Sequence, residues 1–370
     1  MSQPSTAKLT PFDDPRVTLR SAHLNGRTYG YIYQQRHANT PDRGTIILIH
    51  GFPDLAFGWR HQIPFLASLG LDVIAPDCMG YGRTDSPAYG LHDFTYRRIA
   101  DDMATLCAQL GLHSVLLGGH DWGGAITYRI ALYHPHLIRA LFVVCTPYAP
   151  PQPAYVPLAQ LVATRVPNFG YQLVFASGAV ETNCSTPATI RQFLSNIYGA
   201  RTPAGESAFS AAQGPDLAKQ ATITTPPPAR LITAAELDFY VQEYSRNGLR
   251  GPLNWYRTHE LNFVDEYAHF FTASGDGDNN NNNNNSANPK PKLSVIVQQE
   301  TLFILARNDS VLQPWMAANM AARIPRLTRR EVNASHWALW ERPDEVNAIL
   351  ADWLADKAFK LDEAQAKPRL

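Results

Sequence analysis

Gly119-His120-Asp121-Trp122-Gly123 is the stretch that decides how this chain folds. The apolar run Ser114-Val115-Leu116-Leu117-Gly118 leads into it. Ala125-Ile126-Thr127-Tyr128-Arg129-Ile130-Ala131-Leu132 follows with a helical pattern. A strand, a sharp turn and a helix in that order make a nucleophile elbow, here with Asp where Ser is usual. Such a turn is strained and crowded, so glycines stand where larger side chains would clash. A carboxylate at its tip attacks saturated carbon and forms an alkyl ester, whereas a Ser would form an acyl ester.

Working outward, short apolar runs alternate with helical patterns on both sides of the elbow. Thr45-Ile46-Ile47-Leu48-Ile49, Asp72-Val73-Ile74-Ala75, Ser114 to Gly118, Ala140 to Val144 and Thr301 to Ala306 read as buried strands, with Leu327 to Val332 a weaker sixth. Thr95 to Leu110 places Ile99, Met103, Leu106 and Leu110 at helical spacing. This alternation predicts an α/β fold with a mostly parallel sheet flanked by helices. The rhythm breaks between about Pro147 and Phe263. Aromatics, prolines and helical patches dominate there, and no convincing strand is visible. The expected division is therefore a core of residues 1–147 and 263–370 with a helical cap over 148–262. A cap above an elbow excludes water and shapes an apolar pocket. Residues 273–292, with Asn279 to Asn285 consecutive, cannot bury enough apolar surface to fold and read as a disordered loop.

An elbow nucleophile needs an acid and then a histidine further along the chain. Asp309 follows the strand Thr301 to Ala306, and His336 follows the last strand. Asp121, Asp309 and His336 would then meet at the carboxyl ends of strands, where such sheets gather their reactive groups. Glu300 and Asp344 are competing partners for the histidine, but neither is placed at a strand end as Asp309 is. His120, beside the nucleophile, should turn away from the site and is read as structural. His50-Gly51-Phe52-Pro53 follows the Thr45 to Ile49 strand. In this setting the N–H groups of Phe52 and Trp122 form the oxyanion hole, each worth about 10²- to 10³-fold in rate. The glycine-rich loop Asp77 to Asp85 is given no catalytic role.

The Asp elbow narrows the chemistry to opening an epoxide or displacing a halide. An epoxide oxygen needs a proton as it opens, and two phenols could provide it, since tyrosine stays protonated at neutral pH. A halide needs only weak N–H donors. The span 148–262 holds many tyrosines, and composition alone does not choose among them.

Composition bounds the other classes. The chain has 370 residues, 32 basic and 32 acidic, for a formal net charge of zero. That argues against a nucleic-acid binder or a polybasic membrane-surface protein. No apolar run is long enough to span a bilayer, and the polar Met1 to Thr6 begins no signal peptide. Cys78, Cys107, Cys145 and Cys184 are far apart and form no CxxC pair, so neither a metal site nor disulfides are expected. The predicted location is cytoplasmic. A peroxisomal alternative rests on the C-terminal Lys367-Pro368-Arg369-Leu370, in which Pro368 departs from the usual small residue.

Taken together, the chain resembles the soluble epoxide hydrolases of the α/β-hydrolase superfamily over nearly its full length, the Asn-rich loop excepted. The resemblance is carried by His50-Gly51-Phe52-Pro53, by Gly119-His120-Asp121-Trp122-Gly123-Gly124, and by Gly251-Pro252-Leu253-Asn254-Trp255-Tyr256-Arg257. It implies that Tyr256 is one of two lid tyrosines. Phe169-Gly170-Tyr171-Gln172-Leu173-Val174-Phe175 looks like the second such region and maps the partner to Tyr171, with Tyr198 and Tyr240 as alternatives. It implies a lipophilic epoxide and water as reactants, and neither metal nor organic cofactor. Haloalkane dehalogenases share an Asp elbow followed by Trp. Resemblance to them would call for a halide-binding side chain, typically Asn, where this chain has Phe52. A non-catalytic hydrolase fold used for ligand binding would be signalled by loss of a nucleophile, acid or histidine, and none is missing.

Overall fold

The strand-like runs assemble into one sheet of eight strands. The computed structural model describes residues 6–271 and 292–361. The Asn tract 279–285 and the C-terminal 367–370 lie outside them. In chain order the strands are β1 (Thr18–Leu24), β2 (Arg27–Gln34), β3 (Thr45–Ile49), β4 (Asp72–Pro76), β5 (Val115–His120) and β6 (Ile138–Val144). A separate pair follows, β7 (Phe209–Ser210) and β8 (Gly214–Pro215), and then β9 (Glu300–Ala306) and β10 (Leu327–Val332). The sheet order is β1-β2-β4-β3-β5-β6-β9-β10. From β4 to β10 all neighbours are parallel. β3 is buried throughout, as is β5, which explains their continuous apolar reading.

Two features depart from the sequence reading. β1 and β2 form an antiparallel hairpin at the sheet edge, and β2 pairs antiparallel with β4. Its turn is Asn25-Gly26, both at positive φ, the geometry that two-residue hairpins require. β1 is largely exposed, so it lacks the apolar run by which the inner strands are recognised. The second departure is the small antiparallel pair β7 and β8 inside the region read as strand-free.

Between β6 and β9 the described residues are otherwise mostly helical. The helix Ala234–Asn247 begins with a capping box in which Thr233 and Glu236 satisfy each other's backbone N–H groups. Glu236 also reaches across to Arg60, with Nε to Oε1 at 2.8 Å, and both side chains are almost fully buried. Lys8 meets the same carboxylate at 2.9 Å. Arg60 further donates to the Leu231 carbonyl at 2.9 Å. Removing one member of a buried pair strands the other charge, so Glu236→Ala should cost about 3–5 kcal/mol. Urea unfolding of the variant beside the parent measures this. A loss under about 1 kcal/mol, the range of exposed pairs, would contradict the reading.

Candidate active site

The parallel strands deliver the reactive groups to one edge of the sheet. His50 follows β3, Asp121 follows β5, Thr146 lies just past β6, and Asp309 and His336 follow β9 and β10. Asp121 has φ 53° and ψ −126°, a conformation that non-glycine residues rarely adopt, and the helix Trp122–Tyr133 starts immediately after it. The crowding is specific. A Cβ on Gly123 would collide with the Ile49 carbonyl, and one on Gly119 with Thr127 and the Gly123 carbonyl. The Thr146 hydroxyl donates to the Asp121 carbonyl at 2.7 Å and pins the turn from β6.

The carboxylate of Asp121 is held by backbone. Phe52 N–H donates to Oδ1 at 2.8 Å, and the Trp122 N–H also bonds the carboxylate. His336 Nε2 stands 3.5 Å from Oδ2. On its other side His336 Nδ1–H donates to Asp309 Oδ2 at 2.8 Å. Asp309 is fixed in turn by N–H bonds from Val311 at 2.8 Å and Leu312 at 2.9 Å. The structure therefore brings Asp121, Asp309, His336, Phe52 and Trp122 together. Glu300 starts β9 and Asp344 lies in the helix Pro343–Trp353, while Asp309 holds the histidine.

Burial and charge oppose each other here. Burial raises the Asp121 carboxyl above its usual value, and the nearby His336 charge offsets only part of that. Burial by itself would lower His336, but the charge and hydrogen bond of Asp309, helped by Asp121, prevail and lift the ring to about 9. Burial likewise disfavours the Asp309 anion, and His336 outweighs it, so Asp309 is held below the ordinary carboxylate range. The pair Asp309⁻ and His336⁺ is the stable form at neutral pH, with the Asp121 carboxyl beside the ring.

A cavity of about 500 Å³ opens in front of Asp121 and His336. Tyr171 and Tyr256 line it, with Phe52, Phe175 and Trp337 among the apolar walls. The two tyrosine rings meet edge to face with centroids 6.0 Å apart, and Tyr256 packs the same way on Trp122 and Phe52. Burial, first, and the Asp121 charge, second or third in weight, push both phenols above their usual pKa. They remain protonated at any working pH. Tyr198 and Tyr240 are committed elsewhere: the first donates to the Pro53 carbonyl, the second to Asp54 Oδ1 at 2.6 Å.

Several further residues brace the site. His50 accepts the Cys78 N–H on Nε2 at 2.9 Å, which leaves Nδ1–H to donate to the Gly51 carbonyl at 2.8 Å. Burial lowers its pKa to about 4, so the neutral ring braces the loop that carries Phe52. Asp77 accepts N–H groups from Ala56 at 2.9 Å and Arg83 at 3.1 Å, tying the glycine-rich loop to the segment after Phe52. Asp54 is buried and lifted to about 7 by that burial. A position directly after a strand end was the available signal for His50 and Asp77. His120 donates from Nε2 to the His336 carbonyl at 2.8 Å, and burial lowers it to about 3, so its ring stays neutral beneath the site.

Comparison with known proteins agrees with this geometry. A family model of the alpha/beta hydrolase fold matches residues 44–343. The chain is 35% identical to epoxide hydrolase srdG of Neurospora crassa over 94% of this chain and 97% of that protein. It is 32% identical to bifunctional epoxide hydrolase 2 of Mus musculus over 84% of this chain, spanning 51% of that longer relative. Among solved structures, epoxide hydrolase A from Mycobacterium thermoresistibile superposes with a TM-score of 0.73 at 25% identity, covering 92% of this chain and 98% of the other.

Proposed function

This chain belongs to the epoxide hydrolase family of the alpha/beta hydrolase fold, and we propose that it converts a lipophilic epoxide to a vicinal diol through a covalent ester on Asp121. The observation that carries the reading is that Asp121, His336, Tyr171 and Tyr256 face one cavity with apolar walls. The helical residues 148–262 act as the cap that supplies the two phenols and keeps bulk water out.

In the first step Tyr171 and Tyr256 donate hydrogen bonds to the oxirane oxygen. The Asp121 carboxylate attacks a ring carbon, the C–O bond breaks, and the departing oxygen takes a phenolic proton. The phenolate regains a proton from water. In the second step neutral His336, oriented by Asp309, takes a proton from a water molecule that attacks the Asp121 carboxyl carbon. The N–H groups of Phe52 and Trp122, already bonded to that carboxylate, hold the oxyanion. Collapse releases the diol, which takes its proton back from His336, and the proton left on the Asp121 carboxyl neutralises the hydroxide formed when the phenolate was reprotonated, so the carboxylate is restored. Only water is consumed, and no metal or organic cofactor enters the balance.

The test is the double variant Tyr171→Phe/Tyr256→Phe. Loss of both donors should lower kcat/KM on an apolar epoxide by about 10²- to 10⁴-fold, with each single variant losing less because one phenol remains. A double variant that keeps most of its activity would remove the phenols from the mechanism. Full activity on an alkyl halide with none on epoxides would make the protein a dehalogenase.

The pH dependence follows from the signs. Alkylation needs ionised Asp121, whose pKa is raised by burial, so its rate falls as pH drops through that value. Hydrolysis needs neutral His336. The ring sits at about 9 in the free protein, partly because of the Asp121 anion. Esterification removes that anion, so the ring in the intermediate titrates below about 9. Rapid mixing at several pH values should show ester breakdown accelerating with pH to a plateau. Breakdown that slows as pH rises through neutrality would contradict the base role of His336.

A further inference from the structure

The ring of Tyr171 is fixed by its surroundings. Its helix, Gly170–Ala176, starts against the turn between β7 and β8. The Tyr171 N–H donates to the Ala211 carbonyl at 3.0 Å, and a Cβ on Gly170 would collide with the Ala212 carbonyl. The ring packs edge to face on Phe169, Phe175 and Phe209, with centroids 6.3, 5.4 and 6.0 Å away. What packing leaves open is the direction of the hydroxyl proton, since a phenol O–H turns to suit its neighbours. Gln172 settles it. Its Nε2–H donates to the Tyr171 oxygen at 3.2 Å, the one hydrogen bond of that hydroxyl among the described residues. Tyr171 lines the cavity, and Gln172 is not among the described residues that do. The amide therefore meets the oxygen from behind the cavity wall. With a donor on that side, the phenol's own proton is left for the cavity. The Trp122 indole, which can only donate, hydrogen-bonds the Tyr256 hydroxyl likewise.

We propose that Gln172 is a positioning residue for ring opening: it turns the Tyr171 proton toward the oxirane and holds the oxyanion left on Tyr171 once that proton has gone. The inference rests on the activity proposed above and deepens it. The balance of the step is unchanged. The proton passes from Tyr171 to the departing ring oxygen, and the electron pair of the broken O–H bond stays on the phenol oxygen. Burial first, and the Asp121 charge second, disfavour a phenolate there, and the Gln172 hydrogen bond opposes both. That bond strengthens as the charge builds, because hydrogen bonds to ionised groups are about twice as strong as neutral ones. An interaction stronger in the transition state than in the ground state speeds the step. Gln172 reaches the substrate only through Tyr171.

Gln172→Leu keeps most of the bulk and loses the donor. In single-turnover rapid quenching with an apolar epoxide, alkylation should slow by about 10- to 10²-fold, the range for a hydrogen bond to a charged group. Ester breakdown should keep the parent's rate. Gln172→Glu, which places an acceptor behind the oxygen, should slow alkylation further. Two backgrounds separate this role from packing. With Tyr171→Phe there is no phenol for Gln172 to act on, so adding Gln172→Leu should change alkylation by less than about twofold. With Tyr256→Phe the full loss should remain. A packing defect would slow ring opening in both backgrounds. Alkylation that is unchanged in Gln172→Leu, or slowed as much in the Tyr171→Phe background, overturns the inference while the activity stands. Faster alkylation in Gln172→Leu would mean that the amide withholds the phenol's proton, and overturns it as well. Folded parent protein that opens no apolar epoxide overturns the activity and this inference with it.

Discussion

Replacing Asp121 with Ala is expected to lower kcat/KM for an apolar epoxide by about 10⁶-fold, the scale seen when a catalytic nucleophile is removed. The size follows from the division of labour at the site. Phe52 N–H, Trp122 N–H and His336 all converge on the Asp121 carboxyl group. Without it they have nothing to act on, and no other carboxylate can take its place. Asp309 is turned to His336 and to two backbone N–H groups, and Asp54 is bonded by Tyr240 and the Leu55 N–H. The residual rate should show no pre-steady-state phase. Ala also removes a buried anion whose pKa is raised, so the variant should fold at least as well as the parent. Circular dichroism checks this. A loss of less than about 10²-fold, smaller than that for a single oxyanion donor, would mean that water attacks the ring directly, with His336 as its base.

His336→Gln separates the two steps. Gln keeps a polar group near Asp309 but cannot take a proton from water. Alkylation should continue, since its nucleophile and its proton donors are untouched, while hydrolysis should slow by about 10²- to 10⁴-fold. Rapid quenching should therefore show one turnover's worth of epoxide consumed quickly, followed by near silence in diol release. Equal losses in both phases would place His336 in the ring-opening step, against the arrangement in which its Nε2 faces Asp121 and its Nδ1 faces Asp309.

Much of the fold was legible because its central strands are buried on both faces. β3 and β5 carry unbroken apolar runs, and the elbow between β5 and its helix announces itself through glycines that tolerate no Cβ. The hairpin β1–β2 escaped because β1 faces solvent and its residues follow no burial pattern, although Asn25-Gly26 was a turn signal within reach. β7 and β8 are two residues each, too short for any periodicity to register. The residues that meet at Asp121 could be read from chain order and strand ends. The phenols could not, because the span 148–262 offers many tyrosines and helical spacing says nothing about which face a cavity. Resemblance pointed to Tyr171 and Tyr256, and the geometry brings these two into the cavity with Asp121 while tying the hydroxyls of Tyr198 and Tyr240 to Pro53 and Asp54. The bracing roles of His50, Asp77 and Thr146 are not written in the motifs or positions where these residues stand. Their role lies in the hydrogen bonds they make across the chain.

The most direct test of the covalent ester is the intact mass of His336→Gln after incubation with an apolar epoxide, followed by digestion to locate the change. A gain equal to the mass of the whole epoxide, on the peptide that contains Asp121, is the expected result. Diol produced by a protein whose mass never changes, or an adduct on any other residue, would contradict it.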